Sequence, residues 1–312
     1  MKVLITGGAG FLGTALANRL VAEGHRVRAL DDLSSGDKAR LDPEVAFVRG
    51  DVRDVPKLWS LLRGVDCVYH LAARVSVPES VLYPVEYNDV NVGGTVCLLT
   101  AMRDAKVARL VFCSSGAAYG AKERQPIGED APLQPGTPYA VSKMASEAYV
   151  RAVGRLWGID TVILRVFNAY GPGQPLPPSH APVISRFLRQ AVAGGSLVIA
   201  GDGSQTRDFV YLDDVVGALG ACINNRSAVG QTLNIGSGVE VSIAGLADAV
   251  EHALQRPVHR LYSEEQSAGV PRLVGDISKA RDLIGYEPTV TLPEGLRRMV
   301  SSDARFQGNV AQ

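Results

Sequence analysis

The first thirty residues alternate between a strand pattern and a helix pattern. Residues 2–6 form a short β-branched apolar run, and residues 13–23 carry apolar side chains at helical spacing. A second apolar run follows at 26–30. The pattern predicts a strand, a glycine-rich turn, a helix and a second strand, which together make a βαβ unit.

The same alternation continues to about residue 170. Further apolar runs lie at 45–48, 65–71, 110–113 and 161–166, and the stretches 91–105 and 139–156 have helical length and spacing. Each apolar run ends in small or polar residues. In a doubly wound parallel sheet the ligand crevice lies at the carboxyl ends of the strands. We therefore predict the α/β class, with a Rossmann-type doubly wound parallel sheet.

The pattern loosens after residue 170. Four prolines within 172–178 precede a helical stretch at 183–193 and a strand at 197–200, and residues 201–211 predict a turn and another strand. These elements indicate a second, smaller α/β region. We predict two domains. The first is made of residues 1–170 together with about 208–240, and the second is a C-terminal substrate-binding region made of 171–207 and 241–312.

The composition excludes several classes of protein. Lys plus Arg and Asp plus Glu are equal at 32 each, so the chain lacks the electrostatic footprint of a nucleic-acid or anionic-membrane binder. No run of about 18 apolar residues offers a membrane span. The four cysteines have no Cys-x-x-Cys spacing and the five histidines have no metal-ligand spacing. We expect a soluble cytoplasmic protein with no metal site and no nucleic-acid or membrane partner.

A glycine signature in the first βαβ unit predicts dinucleotide binding. Gly7 allows a tight turn, Gly10 lets a pyrophosphate approach the backbone, and Gly13 lets helix and strand pack closely. Asp31 ends the second predicted strand, 18 residues after Gly13. A carboxylate there accepts hydrogen bonds from the ribose hydroxyls and repels a 2′-phosphate. The sequence therefore favours NAD over NADP, with Asp32 either a second contact or a turn residue.

Tyr139 and Lys143 form a second candidate feature. They stand four residues apart in a predicted helix, so both lie on one face, where the ammonium can approach the phenol and favour its ionised form. A free phenol titrates near about 10, so a base at neutral pH needs such help. Most chance pairs with this spacing are ordinary helix pairs. The glycines and Ser115, one βα unit earlier, point instead to oxidoreductase chemistry.

Several short motifs follow one another along nearly the whole chain. They are Thr6-Gly7-Gly8-Ala9-Gly10-Phe11-Leu12-Gly13, Gly50-Asp51-Val52-Arg53-Asp54, His70-Leu71-Ala72-Ala73, Ser114-Ser115 with Tyr119-Gly120, Tyr139 with Lys143, Arg165 with Asn168, Gly171-Pro172-Gly173-Gln174, and Thr206-Arg207-Asp208-Phe209. In this order they resemble the extended short-chain dehydrogenases/reductases of the NAD-dependent epimerase/dehydratase family. Within it the chain most resembles the UDP-sugar 4-epimerases, typified by UDP-glucose 4-epimerase and by relatives acting on UDP-N-acetylglucosamine or UDP-glucuronate.

The resemblance implies a role for each matching residue. The catalytic set falls on Ser115, Tyr139 and Lys143. Cofactor binding falls on Gly7, Gly10, Phe11, Leu12, Gly13, Asp31, Asp32, Asp51, Val52, Leu71, Ala72 and Ala73, together with Tyr139 and Lys143. Substrate binding falls on Ser115, Tyr139, Asn168, Val198, Arg207 and Arg272. For Arg207 the alternative is an ion pair with Asp208, and for Asn168 a turn position.

The resemblance also implies a reaction. Tyr139 removes the proton of the sugar 4-hydroxyl while the C4 hydride passes to NAD, and the 4-keto sugar turns over before the hydride returns. Dehydratases of the family resemble Ser-Thr-Asp-Glu after the catalytic serine, whereas this chain has Gly116 and Ala117, which cannot transfer protons. A 4-ketoreductase supplied with external NADH and a non-catalytic NAD-binding regulator are the alternatives.

Two further expectations concern the substrate loop and the assembly. The arginine that relatives carry in an Arg-Pro-Gly-Asp segment is replaced here, since the segment aligns with residues 266–269, which begin with Gln266. Arg272 is the candidate to supply that charge. The helices at 91–105 and 139–156 resemble those that form a four-helix interface in the family, which implies a homodimer.

Overall fold

The computed structural model describes residues 1–177, 180–264 and 270–307. Its strands are β1 (Lys2–Thr6), β2 (Arg26–Asp31), β3 (Ala46–Arg49), β4 (Cys67–His70), β5 (Arg109–Ser115), β6 (Asp160–Val166), β7 (Asn168–Tyr170), β8 (Leu197–Ala200), β9 (Thr206–Arg207), β10 (Phe209–Tyr211), β11 (Thr232–Ile235), β12 (Val241–Ser242) and β13 (Arg260–Ser263). Its α-helices are α1 (Phe11–Ala22), α2 (Val55–Leu61), α3 (Val77–Leu82), α4 (Pro84–Tyr87), α5 (Gly94–Ala105), α6 (Pro138–Trp157), α7 (Val183–Val192), α8 (Leu212–Ala221), α9 (Ile243–Leu254), α10 (Ser278–Ile284) and α11 (Leu292–Ser302).

Seven of these strands form one parallel sheet, in the order β11-β6-β5-β4-β1-β2-β3. The order runs outward in both directions from β1, as in a doubly wound sheet, so the crevice lies where the direction reverses, between β1 and β4. The predicted fold class is confirmed. The strand at the start of the chain matches its predicted bounds, and the others differ from prediction by one to two residues at an end.

Apolar side chains cover both faces of the sheet. On one face α1, α8 and α10 pack over residues such as Val3, Leu16 and Leu219. On the other face α2, α5 and α6 pack over residues such as Leu4 and Leu98. Strands buried on both faces need continuous apolar runs rather than alternation, which is what the sequence shows in β1 and β5.

A third core belongs to the smaller region. It joins α7, α9 and α11 with β8 and β10, around residues such as Phe187, Leu246 and Met299. The strand predicted at 197–200 and the turn and strand predicted at 201–211 are present, and their partners are distant: β8 pairs with β13, β9 with β12, and β10 with β7. The helix α10 packs in the core of the main sheet, with Ala280 and Ile284 against that core, so the stretch around it joins the first region and not the one predicted for 241–312.

The predicted helix at 91–105 begins differently from its prediction. Residues Asn88–Gly93 form a turn of π-helix, and α5 follows from Gly94. The Asn91 side chain lies in this turn and donates to the Ser142 hydroxyl of α6 at 2.9 Å and to the Arg74 carbonyl at 3.0 Å. This irregular turn therefore ties α6 to the loop that follows β4.

Candidate active site

A large cavity opens at the carboxyl end of the sheet. Its volume is about 1200 Å³, above the range of about 300–1,000 Å³ that is usual for one small-molecule site. Residues of both regions line it, among them Gly10 and Asp31 from the first βαβ unit and Asn168 and Arg207 from the second half of the chain. The cavity therefore has room for a dinucleotide together with a second ligand.

The glycine loop between β1 and α1 has the geometry that a pyrophosphate requires. Gly7 has a φ of 70°, and a Cβ there would lie 2.6 Å from the Ala72 nitrogen. At Gly13 a Cβ would collide with the carbonyl oxygen of Gly7. Gly10 precedes α1 and lines the cavity together with Phe11. Because a helix N-terminus favours negative charge, the loop fits the phosphates of a dinucleotide.

Asp31 lies beside this loop and is 9% exposed. Its carboxylate accepts the backbone N–H of Ala9 at 3.0 Å and that of Leu33 at 2.8 Å. Burial raises the pKa of Asp31, and those two N–H groups oppose the rise. Asp32 is exposed and its carboxylate accepts from the N–H and hydroxyl of Ser34, which makes it a turn residue that also borders the cavity.

The other residues that the resemblance assigned to the cofactor also line the cavity. They are Leu12, Asp51, Val52, Leu71, Ala72 and Ala73. Asp51 forms an ion pair with Arg53 at 2.6 Å, and this pair lowers the pKa of the Asp51 carboxyl. The structure thus brings the whole predicted cofactor set to one surface.

Ser115 and Tyr139 meet where β5 ends and α6 begins. The Tyr139 side chain is 8% exposed and lies edge-on to Tyr87, with ring centroids 6.5 Å apart. Burial raises the pKa of the Tyr139 phenol, and the neighbouring Ser115 side chain opposes that rise. Both residues line the cavity, so the serine lies on the same wall as the phenol that it is predicted to assist.

Lys143 is placed differently from the sequence-based expectation. Its ammonium donates to the Cys113 carbonyl at 2.9 Å, and no hydrogen bond joins it to the Tyr139 hydroxyl. Lys143 is 4% exposed, and burial lowers its pKa because the ammonium has lost its water. A buried ammonium needs an acceptor, and the carbonyl of β5 supplies it. The direct contact between ammonium and phenol is therefore not formed.

A buried ion pair supports these residues from behind. Glu147 lies on the same face of α6, is fully buried, and accepts from the Ser114 hydroxyl at 2.5 Å and from Arg165 at 2.8 and 3.0 Å. Burial raises the pKa of Glu147, but the hydrogen bonds and charge of Arg165 outweigh it and hold that pKa below its usual value. Because Ser114 precedes Ser115 on β5, the network fixes β5 against α6.

Arg207 presents its charge to the cavity. Among the residues that the structure describes, its guanidinium donates to the Thr206 carbonyl at 2.7 Å and has no carboxylate partner, and burial lowers its pKa. The alternative ion pair with Asp208 is absent, because the Asp208 carboxylate is fully buried and accepts from Ser237, Gly238 and Gly275. A partly buried guanidinium at the cavity wall is suited to bind a phosphate group.

Two residues of the predicted substrate set lie elsewhere. Val198 is 38% exposed on β8, and neither it nor Arg272 is among the described residues that line the cavity. Arg272 forms a two-fold ion pair with Glu240, at 2.7 and 2.8 Å, so its charge is already paired on the surface. Gln266 and its neighbours in 266–269 lie outside the described residues.

Sequence reasoning missed several residues of the cavity wall. Phe167 and Gln174 line it, as does Ser76. Gln174 was visible as the last residue of the Gly171-Pro172-Gly173-Gln174 motif. Phe167 follows β6 directly and is apolar, so nothing in the sequence pattern marked its place at the cavity.

The Phe167 ring lies against Gly116, the residue that follows Ser115. A Cβ at Gly116 would lie 3.1 to 3.2 Å from three atoms of the Phe167 ring. That separation is closer than ordinary van der Waals contact, so a side chain at position 116 needs the ring to move. The wall beside Ser115 is therefore apolar and offers no acid.

The family follows from a comparison with known protein families. The model of the NAD-dependent epimerase/dehydratase family matches residues 3–236. The chain belongs to this family. A UDP-glucose 4-epimerase of Mycolicibacterium smegmatis is 38% identical over 308 residues, which cover 96% of this chain and 97% of that protein.

Solved structures of this family superimpose closely on the chain. The UDP-glucose 4-epimerase of Thermotoga maritima, solved with UDP-glucose, has a TM-score of 0.92 and 32% identity, covering 96% of this chain and 97% of its own. The UDP-glucose 4-epimerase of Thermus thermophilus, solved with NAD, has a TM-score of 0.91 and 33% identity, covering 99% of this chain and 100% of its own.

These comparisons confirm three of the sequence-based predictions. The family is the extended short-chain dehydrogenase/reductase group of epimerases, the fold is a Rossmann-type sheet, and the cofactor is NAD. Within the described ranges, none of the helices combines the length and apolar composition needed to cross a bilayer.

Proposed function

We propose that this chain is an NAD-dependent UDP-sugar 4-epimerase in which Ser115, Tyr139 and Lys143 carry out the reaction. The predicted activity agrees with that of its full-length relatives, which are UDP-glucose 4-epimerases. The observation that carries the proposal is the meeting of Ser115 and the Tyr139 phenol in the cavity that also holds the glycine loop and Arg207.

Tyr139 acts as the base on the 4-hydroxyl of the sugar. Ser115 shares the hydrogen bond and fixes the hydroxyl against the phenol, which favours proton transfer by positioning. Bound NAD would supply the hydride acceptor for C4, and the glycine loop, Asp31 and the surrounding cavity residues would hold it. Lys143 holds β5 against α6 through the Cys113 carbonyl and adds positive charge to the same wall.

The substrate is held by its nucleotide and released at its sugar. Arg207 binds the diphosphate and Asn168 contacts the same end of the ligand, which leaves the sugar less tightly held. A 4-keto sugar can then turn over and take the hydride on its other face, which inverts C4 and restores NAD. No net oxidation occurs, so NAD does not need to leave between turnovers.

The apolar wall beside Ser115 favours epimerisation over dehydration. Elimination of water needs an acid and a base near C5 and C6, and Gly116, Ala117 and Phe167 supply neither. A 4-ketoreductase needs only the same three catalytic residues, so it is the second candidate. A non-catalytic regulator is disfavoured because Tyr139 and Lys143 are both present.

The experiment separates these three functions. The protein is purified without added cofactor, its bound NAD is measured after denaturation, and it is incubated separately with UDP-glucose, UDP-N-acetylglucosamine and UDP-glucuronate. We expect the C4 epimer of at least one of them without added NADH. Product formed only with stoichiometric NADH indicates the ketoreductase, and bound NAD without turnover indicates the regulator. Either of these two results overturns the proposal that the chain is an epimerase.

We further propose a cytoplasmic homodimer. The outer face of α6 carries the exposed apolar residues Val141 and Tyr149, and Ala148 and Ala152 are exposed on the same face. Small and apolar residues on one helical face let a second helix approach closely. Sedimentation of the wild type is expected to give a dimer, and Ala148→Glu is expected to give a monomer. A monomeric wild type contradicts the proposal.

A further inference from the structure

Arg40 joins two loops that come from distant parts of the chain. It ends the short 3₁₀ turn Lys38–Arg40, in the loop that follows Asp31. Its guanidinium donates to the Gly173 carbonyl at 2.8 Å and lies 3.5 Å from the Pro172 carbonyl. Charge-assisted hydrogen bonds of this kind are stronger than those between neutral groups. Arg40 thus fastens the loop beside Asp31 to the loop at 171–177.

The first of these loops is part of the nucleotide site. Ser34 and Ser35 line the cavity next to Asp31. The N–H of Asp37 donates to the Ala9 carbonyl of the glycine loop at 2.9 Å. The Asn18 side chain of α1 donates to the Arg40 carbonyl at 3.0 Å, so the Arg40 backbone is anchored to the elements that surround the pyrophosphate site.

The second loop belongs to the wall on the other side of the cavity. Gln174, Pro175 and Pro177 line that wall. Gly173 has a φ of 77°, and a Cβ there would collide with the Arg40 guanidinium. The fit is thus specific, because the absence of a side chain at Gly173 is what lets the guanidinium reach the carbonyl.

The far side of the second loop is held independently of Arg40. The Asp303 carboxylate accepts the N–H of Gly173 at 2.8 Å, and Arg305 donates to the Gln174 carbonyl at 2.8 Å. Arg305 also pairs with Asp303 at 2.6 Å. The loop at 171–177 is therefore fixed to the C-terminal segment, and Arg40 is the described contact that fastens it to the nucleotide side.

We propose that Arg40 is a positioning residue that slows the release of NAD, by holding together two loops that border the cavity, the loop beside Asp31 and the loop at 171–177. Release requires the loop beside Asp31 to separate from the loop at 171–177, and this separation breaks the hydrogen bonds of Arg40. The inference goes beyond the proposed function, because it depends on the NAD cofactor of the family and on no particular sugar substrate.

The test measures the dissociation of NAD from the folded holoprotein. Wild type, Arg40→Ala and Arg40→Gln are loaded with NAD, diluted into buffer without NAD, and sampled over time for protein-bound NAD by filtration and quantification. Arg63→Ala is the matched control, since Arg63 is exposed and its side chain has no hydrogen bond or ion pair with any described residue. Circular dichroism shows that each variant is folded.

We expect both Arg40 variants to release NAD about tenfold faster than wild type, which is the loss of roughly one charged hydrogen bond. Arg63→Ala is expected to release NAD at the wild-type rate. Unchanged release from folded Arg40→Ala or Arg40→Gln overturns the proposal. If Arg63→Ala releases NAD as fast as the Arg40 variants, the proposal is also overturned, because the faster release then follows from the loss of any positive charge. The readout is retention of NAD and does not require turnover, so it fails or succeeds separately from the epimerase proposal.

Discussion

The catalytic and the substrate-binding sides of the cavity are built from different kinds of element. Ser115 ends a seven-residue strand in the middle of the sheet, and Tyr139 and Lys143 lie in a helix of 20 residues. Arg207 lies in a two-residue strand and Asn168 in one of three residues. Sites on long regular elements hold their geometry more precisely than sites on short ones. We therefore expect the positions of Ser115, Tyr139 and Lys143 to be held more precisely than those of Arg207 and Asn168.

Charged groups follow the same division. Glu147 and Arg165 form a fully buried pair behind the catalytic strand. Arg272 and Glu240 form an exposed pair that is not among the described residues of the cavity wall. Breaking a buried pair leaves an uncompensated charge, whereas an exposed pair exchanges its partner for water. We therefore expect substitutions on the catalytic side to cause large losses of turnover or stability. On the substrate side we expect only a residue that faces the cavity to change KM.

The largest effect is expected for Tyr139→Phe. Loss of the phenol removes the base, and turnover of the UDP-sugar is expected to fall by about 10²- to 10⁴-fold. Bound NAD is expected to remain, because the ring still fills its place. Steady-state turnover and NAD content are measured together. Tyr149→Phe, an exposed tyrosine of the same helix, is the control, and near-normal turnover by Tyr139→Phe contradicts the assignment.

The next effect concerns stability. Glu147→Gln removes the carboxylate that pairs with buried Arg165, and the free energy of unfolding is expected to fall by about 3–5 kcal/mol. Glu240→Gln is the matched control, because the same substitution is made in an exposed pair and little change is expected. Urea denaturation measures both. Equal losses in the two variants show that burial does not distinguish the pairs.

A third prediction separates the two arginines of the substrate side. Arg207→Gln is expected to raise KM for the UDP-sugar about ten- to a hundredfold, since a hydrogen bond to a charged group contributes about 1.5–3 kcal/mol. Arg272→Gln is expected to leave KM unchanged, because its guanidinium is paired with Glu240. Initial rates over a range of substrate concentrations decide it. If Arg272→Gln raises KM and Arg207→Gln does not, the phosphate contact belongs to Arg272.

The smallest effect is a dependence of stability on pH. His70 is buried between the hydroxyls of Thr6 and Thr95, and burial lowers its pKa to about 3. Above about pH 6.5 the histidine is neutral in both the folded and the unfolded chain. As the pH falls, only the unfolded chain takes up a proton, so the free energy of unfolding decreases by at most about 1.4 kcal/mol per pH unit.

Denaturation at pH 7.5, 6.5 and 5.5 checks this dependence. His70→Gln is expected to flatten the profile, and His252→Gln, at an exposed position of α9, is expected to retain it. If His70→Gln shows the same dependence of the free energy of unfolding on pH as the wild type, His70 is not its cause.

The sequence predicted the sheet better than the smaller region, for a physical reason. Strands of a buried parallel sheet need continuous apolar runs, and β1 and β5 show them plainly. The strands of the smaller region are two to four residues long and pair with distant partners, as β8 pairs with β13. Short segments have too few residues for a period to appear, so the sequence predicted the strand and turn at 197–211 but not the distant strands with which they pair.

The candidate site shows the same limit. Gly7, Gly13 and Asp31 were predictable because backbone geometry and charge restrict the residue type there. The Lys143 contact was not, because the spacing of two residues on a helix does not reveal that a carbonyl of β5 lies closer. Arg272 was assigned by its position in the chain, and its ion pair with Glu240 depends on the pairing of β9 with β12.

The central claim is that C4 is oxidised and reduced within one active site, with Tyr139 as the base. The most direct measurement uses two forms of whichever UDP-sugar turns over. One carries deuterium at C4 and no ¹³C, and the other carries ¹³C and ordinary hydrogen at C4. The two are mixed and incubated with the enzyme. Mass spectrometry of the epimer should find deuterium only in molecules without ¹³C, at C4, with none lost to water. Deuterium in the ¹³C-labelled epimer, or its loss to solvent, contradicts a hydride that returns to its own sugar.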